Sequence, residues 1–158
     1  MKPNMKYFKG DIVHLIKELE VKSPDFNFAV IHQSNCFHTM GAGIAKALSD
    51  AFPGVGEADR TTPFGDMGKL GTYSSCKVTN NCTVYNLYSQ HKFSRTKNNT
   101  DYDAMYTGIK SIVESNKDTI FIVPLYIGAG LAGGNHNIIL DGILFPLFKD
   151  KEVIFISI

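Results

Sequence analysis

The chain has 158 residues, of which 44% are hydrophobic and 20% are charged, and its formal net charge is +1. This composition is typical of a globular domain with its own core, and we expect residues 1–158 to form a single domain. The charge balance argues against broad electrostatic binding to nucleic acid or to an anionic membrane, and no apolar run reaches the roughly 18–20 residues of a membrane span.

The cysteines and the first residues bear on the cellular compartment. Cys36, Cys76 and Cys82 show neither CxxC nor mixed His/Cys metal-ligand spacing. The chain begins MKPNMKYFKGD, without the apolar stretch of a signal peptide. An odd number of cysteines in such a chain predicts reduced thiols and a cytoplasmic location.

The aspartates lie on different predicted elements, so we expect no metal. We also expect no cofactor. Without an assembly motif we expect a monomer.

The first half of the chain alternates predicted strands and helices. Apolar runs predict strands over 5–10 and 26–34, and helical spacing of apolar residues predicts helices over 11–20 and 43–52. Asp11 can cap the first helix, and Pro53 with Gly54 should end the second. A loop is expected over 54–68, and loops of about fifteen residues are uncommon and often functional.

The second half begins with a predicted hairpin over 70–90, with its turn near Asn80 and Asn81. Residues 91–100, HKFSRTKNNT, are polar and basic, and predict a solvated mobile segment that could also guard a pocket. Beyond it we expect a helix over 101–116, a strand over 119–128, a helix over 135–145 that Pro146 bends or ends, and a strand over 152–158.

The order β-α-β-α-β-β-α-β-α-β predicts a three-layer α/β/α fold with a mixed, mostly parallel central sheet. In such folds ligands bind outside the carboxyl ends of the strands. Two glycine-rich loops leave strands at that edge, NCFHTMGAG over 35–43 and YIGAGLAGGN over 126–135.

Glycine-rich loops before helices expose backbone N–H groups that can bind anions. Two such loops on neighbouring strands could hold the two phosphates of a diphosphate between them, although each could also be only a tight turn. Residues 128–133 fit G-x-G-x-x-G, but no acidic residue ends a following strand, so a dinucleotide fold is not favoured. A P-loop is excluded because no GK[ST] follows.

The chain resembles the macro domain in three segments and in their order along the sequence. These segments are GDI, IHQSNCFHTMGAGIAKALSDAFP and PLYIGAGLAGGN. They are most similar to the branch of yeast-type ADP-ribose-1″-phosphate phosphatases, related phage proteins and terminal ADP-ribose protein glycohydrolases. The resemblance covers essentially the whole chain. It implies the three-layer macro-domain fold and, as ligand, ADP-ribose or a 1″-substituted ADP-ribose.

The resemblance also implies the ligand contacts. Asp11 would bind the adenine amino group, Ile12 would supply a neighbouring backbone contact, and Asn35 would face the distal ribose. The remaining ligand-binding positions it implies are Cys36, Met40, Gly41, Ala42, Gly43, Ile44, Gln90, Tyr126, Ile127, Gly128, Ala129, Gly130 and Leu131.

Two departures from the family pattern bear on the reaction. The glycohydrolases carry a catalytic lysine where this chain has Gln90, and an aspartate where it has Ala132. Both departures argue against the glycohydrolase mechanism for this chain. His32 in IHxxNC matches the histidine proposed to act in the phosphatases, and histidine can transfer protons near neutral pH. We therefore expect hydrolysis of ADP-ribose-1″-phosphate, with His32 and Asn35 as catalytic residues.

Alternatives remain open at this point. The chain could remove ADP-ribose from modified protein or nucleic acid, or read ADP-ribose without turnover. His32 could be a core histidine satisfied by backbone. His38 could reach the distal phosphate or be an exposed loop residue. Cys36 could be a nucleophile if its thiolate were stabilised, or a small buried apolar residue.

Overall fold

The computed structural model describes residues 4–92 and 98–158. The prediction made for the basic segment falls partly on residues 93–97, which lie outside the described residues. The strands are β1 (Met5–Lys9), β2 (Asn27–Ser34), β3 (Tyr73–Thr79), β4 (Cys82–Tyr88), β5 (Thr119–Pro124) and β6 (Glu152–Ser157). The helices are α1 (Ile12–Lys22), α2 (Gly43–Ala51), α3 (Pro53–Arg60), α4 (Tyr102–Ser115), α5 (His136–Ile139) and α6 (Phe145–Leu147), with a 3-10 turn at Met67–Lys69 and a π turn at Leu140–Leu144.

The six strands form one sheet in the order β1-β6-β5-β2-β4-β3. Every neighbouring pair is parallel except β3 and β4, which are antiparallel. The central strand β2 pairs with β4 on one side and with β5 on the other. Because β1, β6, β5, β2 and β4 are parallel, their carboxyl ends all lie at one edge of the sheet.

Helices cover both faces of the sheet. Successive side chains of a strand point to opposite faces, so Val30 of β2 packs with α1, α2 and α3, whereas Ile31 packs with α4 and the C-terminal helices. Both side chains are fully buried. The predicted three-layer α/β/α fold with a mixed, mostly parallel sheet is therefore confirmed.

The loop expected over 54–68 is partly wrong, because its first residues form α3. Proline is well suited to the first turn of a helix, since its missing N–H has no intrahelical partner there, and Pro53 begins α3. Gly54 weakens the helical pattern in the sequence. In the structure a Cβ at Gly54 would lie 2.6 Å from the Cys76 sulfur, so glycine allows α3 to pack closely on β3.

Two further boundaries differ from the sequence-based ones. The strand expected over 119–128 ends at Pro124, and the residues beyond it belong to the glycine-rich loop. The last helical segment begins after Asn135 and continues through Pro146 to Leu147. Proline removes one backbone hydrogen bond, and the π turn just before it widens the helix at that point.

Candidate functional site

A cleft of about 1340 Å³ opens at the carboxyl ends of the parallel strands. Gly10 and Asp11 lie at its β1 end, and Gln90 lies at its β4 end. Fourteen of the residues predicted to act in catalysis or to bind the ligand line it: Asp11, Ile12, His32, Asn35, Gly41, Ala42, Gly43, Ile44, Gln90, Tyr126, Ile127, Gly128, Gly130 and Leu131. The topology thus brings together both glycine-rich loops and the end of β2 in one concave site.

Three residues expected to contact the ligand do not line this cleft. The Cys36 thiol is fully buried and donates to the Gln90 carbonyl at 3.6 Å. Burial raises the pKa of Cys36, so the thiol stays protonated and is a poor nucleophile. Met40 packs against the core beneath α1 and α2, and Ala129 packs against the core on the opposite face of the sheet.

The N-terminus of α2 faces the cleft without a side-chain cap. Asp11, Asp101 and Asn135 cap α1, α4 and α5 by accepting a backbone N–H. The corresponding residue of α2 is Ala42, which has no side-chain oxygen. The first N–H groups of a helix have no intrahelical partner and carry the positive end of its dipole. The cleft therefore contains a helix N-terminus suited to an anion.

The glycines of the two loops fall into two groups. Gly43 and Gly128 have φ values of 59° and 72°, a backbone conformation that favours glycine, and a Cβ at Gly128 would also lie 2.7 Å from Met105 Cε. Gly41 and Gly130 lack a positive φ, and a Cβ at either would meet nothing within 4 Å. The fold therefore does not require glycine at these two cleft-lining positions, and their small size leaves space in the cleft.

Asn35 shapes the loop that follows β2. Its Oδ1 accepts the Phe37 N–H at 2.9 Å, and its Nδ2 donates to the Thr39 hydroxyl at 2.6 Å. These bonds form a turn that leads into the α2 N-terminus. Its side-chain oxygen and amide are thus both engaged within the loop, although the residue lines the cleft.

The two departures from the glycohydrolase pattern lie in the cleft wall. Gln90 accepts from Gln33 Nε2 at 2.7 Å and donates to the Lys92 carbonyl at 2.7 Å. Ala132 is buried at the end of the second loop. A fixed neutral amide and a methyl group therefore occupy the two positions that the resemblance assigns to the glycohydrolase lysine and aspartate.

His32 lies on the cleft wall but is only 2% exposed. Its Nε2 is 2.6 Å from Asn86 Oδ1, directly across the β2–β4 pair. Burial lowers the pKa of His32, which favours the neutral imidazole at neutral pH. Nδ1 has no hydrogen-bond partner within the described residues. A neutral ring with an unpartnered nitrogen can accept a proton or a hydrogen bond.

His38 is placed differently. It has a φ of 57°, its Nε2 lies 2.8 Å from the Thr62 carbonyl, and its ring packs edge-on against Phe64. It does not line the cleft. His136 stacks on Tyr126 with ring centroids 4.5 Å apart, at the rim formed by the second loop.

The sequence reasoning missed several cleft residues. Ser34 and Thr39 line it, and so do the last residues of the chain, Ser157 and Ile158. The alternation of residues along β2 was the signal for Ser34, which lies two residues from His32 on the same face. In residues 4–92 and 98–158, no helix is long and apolar enough to cross a bilayer, and no cluster of three potential metal ligands occurs.

No protein-family model matches the chain. The chain is 35% identical to the 17.5 kDa protein of the tk-vs intergenic region of Enterobacteria phage T4, over 97% of this chain and 96% of that protein. The macrodomain of Mycobacterium tuberculosis DarG superposes with a TM-score of 0.70 at 16% identity, over 98% of this chain and 97% of that one. Thermosipho africanus DarTG in complex with ADP-ribose superposes with a TM-score of 0.59 at 15% identity, over 82% of this chain and 38% of that one. These superpositions identify the fold as the macrodomain fold.

Proposed function

We propose that this chain, which belongs to the family of the phage T4 17.5 kDa protein and has the macrodomain fold, binds ADP-ribose in the cleft and hydrolyses ADP-ribose-1″-phosphate. The observation that carries the proposal is the pair of cleft-lining glycines, Gly41 and Gly130, at which the fold itself does not require glycine. They lie on the loops that follow the neighbouring strands β2 and β5. The ADP-ribose complex of the structurally similar DarTG supports the same ligand class.

The diphosphate would lie between these two loops. The uncapped first turn of α2 offers N–H groups to one phosphate, and the glycine backbone near Gly130 can approach the other closely. A diphosphate is an anion without apolar surface, so backbone N–H groups and a helix dipole suit it better than the apolar parts of the cleft.

The two sugars and the base would extend to either end of the cleft. Asp11 caps α1 through Oδ1, and its second carboxylate oxygen would accept the adenine amino group. Tyr126, 54% exposed at the rim, would pack on the sugar or base. The distal ribose would lie toward Asn35 and Gln90, and its 1″ substituent would then lie near His32 on β2.

Hydrolysis of the terminal phosphate needs an activated water and a stabilised phosphoryl group. Neutral His32 would take a proton from water through Nδ1 while the water oxygen attacks phosphorus. The bond between phosphorus and the 1″ oxygen breaks, the 1″ oxygen takes a proton from solvent, and the imidazolium returns its proton to solvent. ADP-ribose and inorganic phosphate are the products. The alternative substrate, ADP-ribosylated protein or nucleic acid, has less support because Gln90 and Ala132 replace a lysine and an aspartate.

A phosphate-release assay with ADP-ribose-1″-phosphate tests the proposal. We expect the wild type to release phosphate, and His32→Gln to lower kcat at least about 100-fold with KM unchanged, since a positioned base contributes that much. His14→Gln on the exposed surface of α1 is the matched control and should keep full activity. If the wild type gains thermal stability with ADP-ribose but releases no phosphate, the chain binds ADP-ribose and the phosphatase half of the proposal is wrong.

A further inference from the structure

Two buried polar atoms without partners lie on one face of β2. His32 Nδ1 and Ser34 Oγ have no hydrogen-bond partner in the described part of the chain. Their side chains are 2% and 5% exposed, and both residues line the cleft. Residues two apart on a strand point to the same side of the sheet. Buried polar atoms in folded proteins are nearly always satisfied, so this pair points to a ligand in the cleft.

A chain of hydrogen bonds links the Nε2 side of the His32 ring, the side away from the unpartnered Nδ1, to Asp59 on α3. At its far end the Asp59 carboxylate accepts from the Tyr88 hydroxyl at 2.7 Å. Ser74 Oγ lies 2.7 Å from the Tyr88 oxygen and 3.0 Å from Asn86 Nδ2. Asp59 and Tyr88 are 2% and 0% exposed, so the bond between them is shielded from water.

The carboxylate at the end fixes the direction of every bond in the chain. The Tyr88 hydroxyl donates to the Asp59 carboxylate oxygen, which is an acceptor. The Tyr88 oxygen then accepts from Ser74, and Ser74 accepts from Asn86 Nδ2. The same Nδ2 also donates to the Val55 carbonyl at 3.0 Å. Asn86 Oδ1 is therefore the atom that faces His32, and Nε2 must carry the hydrogen.

We propose that Asn86 is a positioning residue that holds His32 as its Nε2–H tautomer, so that Nδ1 and the Ser34 hydroxyl together bind the water that attacks the substrate. The water would donate to Nδ1 and accept from Ser34. The proton that leaves the water goes to Nδ1, and its oxygen forms the new bond to phosphorus. This inference rests on the proposed function for its chemistry, but the tautomer itself is a property of the protein without substrate.

The groups around the His32 ring agree with a neutral base. Desolvation by burial lowers the pKa of His32, and it outweighs both the hydrogen bond with Asn86 and the negative charge of Asp59, which raise that pKa. Burial also raises the pKa of Tyr88, which therefore remains a donor. The cleft-lining residues of α2 carry no charge, namely Gly43, Ile44, Ala45 and Ala47.

The tautomer can be read directly in ligand-free protein. Two-dimensional NMR that correlates the ring nitrogens with the ring protons of 15N-labelled histidine should show His32 as a single neutral Nε2–H tautomer at pH 7.5. A dominant Nδ1–H tautomer would overturn the role of Asn86. Because no substrate is present, this result decides the inference even if the chain proves not to hydrolyse ADP-ribose-1″-phosphate.

Asn86→Asp separates positioning from structural support. A carboxylate beside Nε2 should raise the pKa of His32 by at least about one unit, and the acid limb of the kcat profile should move to higher pH by the same amount. ADP-ribose affinity should stay unchanged. Asn81→Asp is the matched control, because Asn81 is also buried but bonds the carbonyls of Leu19 and Ser23. If both variants change stability alone, Asn86 has only a structural role.

Ser34→Ala tests the second half of the inference. The Ser34 hydroxyl has no partner in the described residues, so its loss should not lower stability. We expect kcat to fall about tenfold, the cost of one hydrogen bond to the attacking water, with KM unchanged. An unchanged kcat in Ser34→Ala, in a protein whose wild type is active, would remove Ser34 from the water site.

Discussion

The loops after β2 and β5 both carry closely spaced glycines, but the two loops use them differently. In the loop after β5, Gly128 and Gly134 serve the fold, since a Cβ at Gly134 would lie 2.5 Å from the Gly128 carbonyl oxygen. In the loop after β2, Gly41 and Gly43 have open space around them, and only Gly43 needs glycine for its φ. A glycine motif therefore mixes positions that hold the fold with positions that leave room for a ligand, and only the second kind indicates a site.

The largest effect is expected where glycine serves the fold. Gly134→Ala places a Cβ against the Gly128 carbonyl oxygen, and we expect it to lower the free energy of unfolding by about 2–4 kcal/mol. Urea denaturation measures this. Gly142→Ala is the control, because a Cβ there meets nothing within 4 Å, and it should leave stability equal or slightly higher. Equal stability of wild type and Gly134→Ala would contradict the comparison.

A carboxylate at the α2 N-terminus should move stability and affinity in opposite directions. Ala42→Asp supplies the missing cap and should stabilise the protein by about 0.5–1 kcal/mol. The same charge would repel the diphosphate, and we expect ADP-ribose affinity to fall about 100-fold, or about 2.7 kcal/mol. Ala42→Asn caps without charge and should lose less affinity. If Ala42→Asp binds ADP-ribose as the wild type does, the anion does not lie at this helix end.

The open glycines should affect ligand binding and not the fold. Gly41→Val and Gly130→Val each place side-chain atoms in the cleft, and we expect each to weaken ADP-ribose binding about tenfold, or about 1.4 kcal/mol. Stability should change by less than about 0.5 kcal/mol, as for surface substitutions. The alanine variants should lose less affinity than the valine variants. A loss of stability with unchanged affinity would place both glycines among the fold-serving ones.

The smallest expected effect is the pH dependence of stability. It arises from the buried His32 on β2, one of the two strands that lead into the glycine-rich loops. Its folded pKa lies below the ordinary 6.5, so the unfolded chain binds the proton more readily. The contribution of His32 to the free energy of unfolding is therefore fully present above about pH 7. It is lost as the pH drops below 6.5, by up to about 1.4 kcal/mol per pH unit.

Thermal unfolding between pH 5.5 and 7.5 measures this slope. His32→Gln should flatten it, whereas His14→Gln, changed at the exposed surface of α1, should not. A slope that persists in His32→Gln would assign the pH dependence to other groups.

The sequence was sufficient to predict the layers, the mixed sheet and the edge at which the cleft lies, because each depends on the order of elements and the position of glycines along the chain. It could not separate Gly41 from Gly43, since the difference lies in backbone φ. It also missed Asn86, which lies 54 residues from His32 and meets it only through strand pairing. Asp59 falls in the expected loop over 54–68, whose first residues instead form α3.

A calorimetric titration of wild-type protein with ADP-ribose tests the central claim most directly. We expect saturable binding of one ADP-ribose per chain with a dissociation constant in the micromolar range, about −8 kcal/mol, because a diphosphate and two anchored sugars fill the cleft together. ADP, which lacks the distal ribose, should bind more weakly. No heat of binding at ADP-ribose concentrations near about 1 mM, a level that would still detect interactions of about −4 kcal/mol, would contradict the claim that this cleft is an ADP-ribose site.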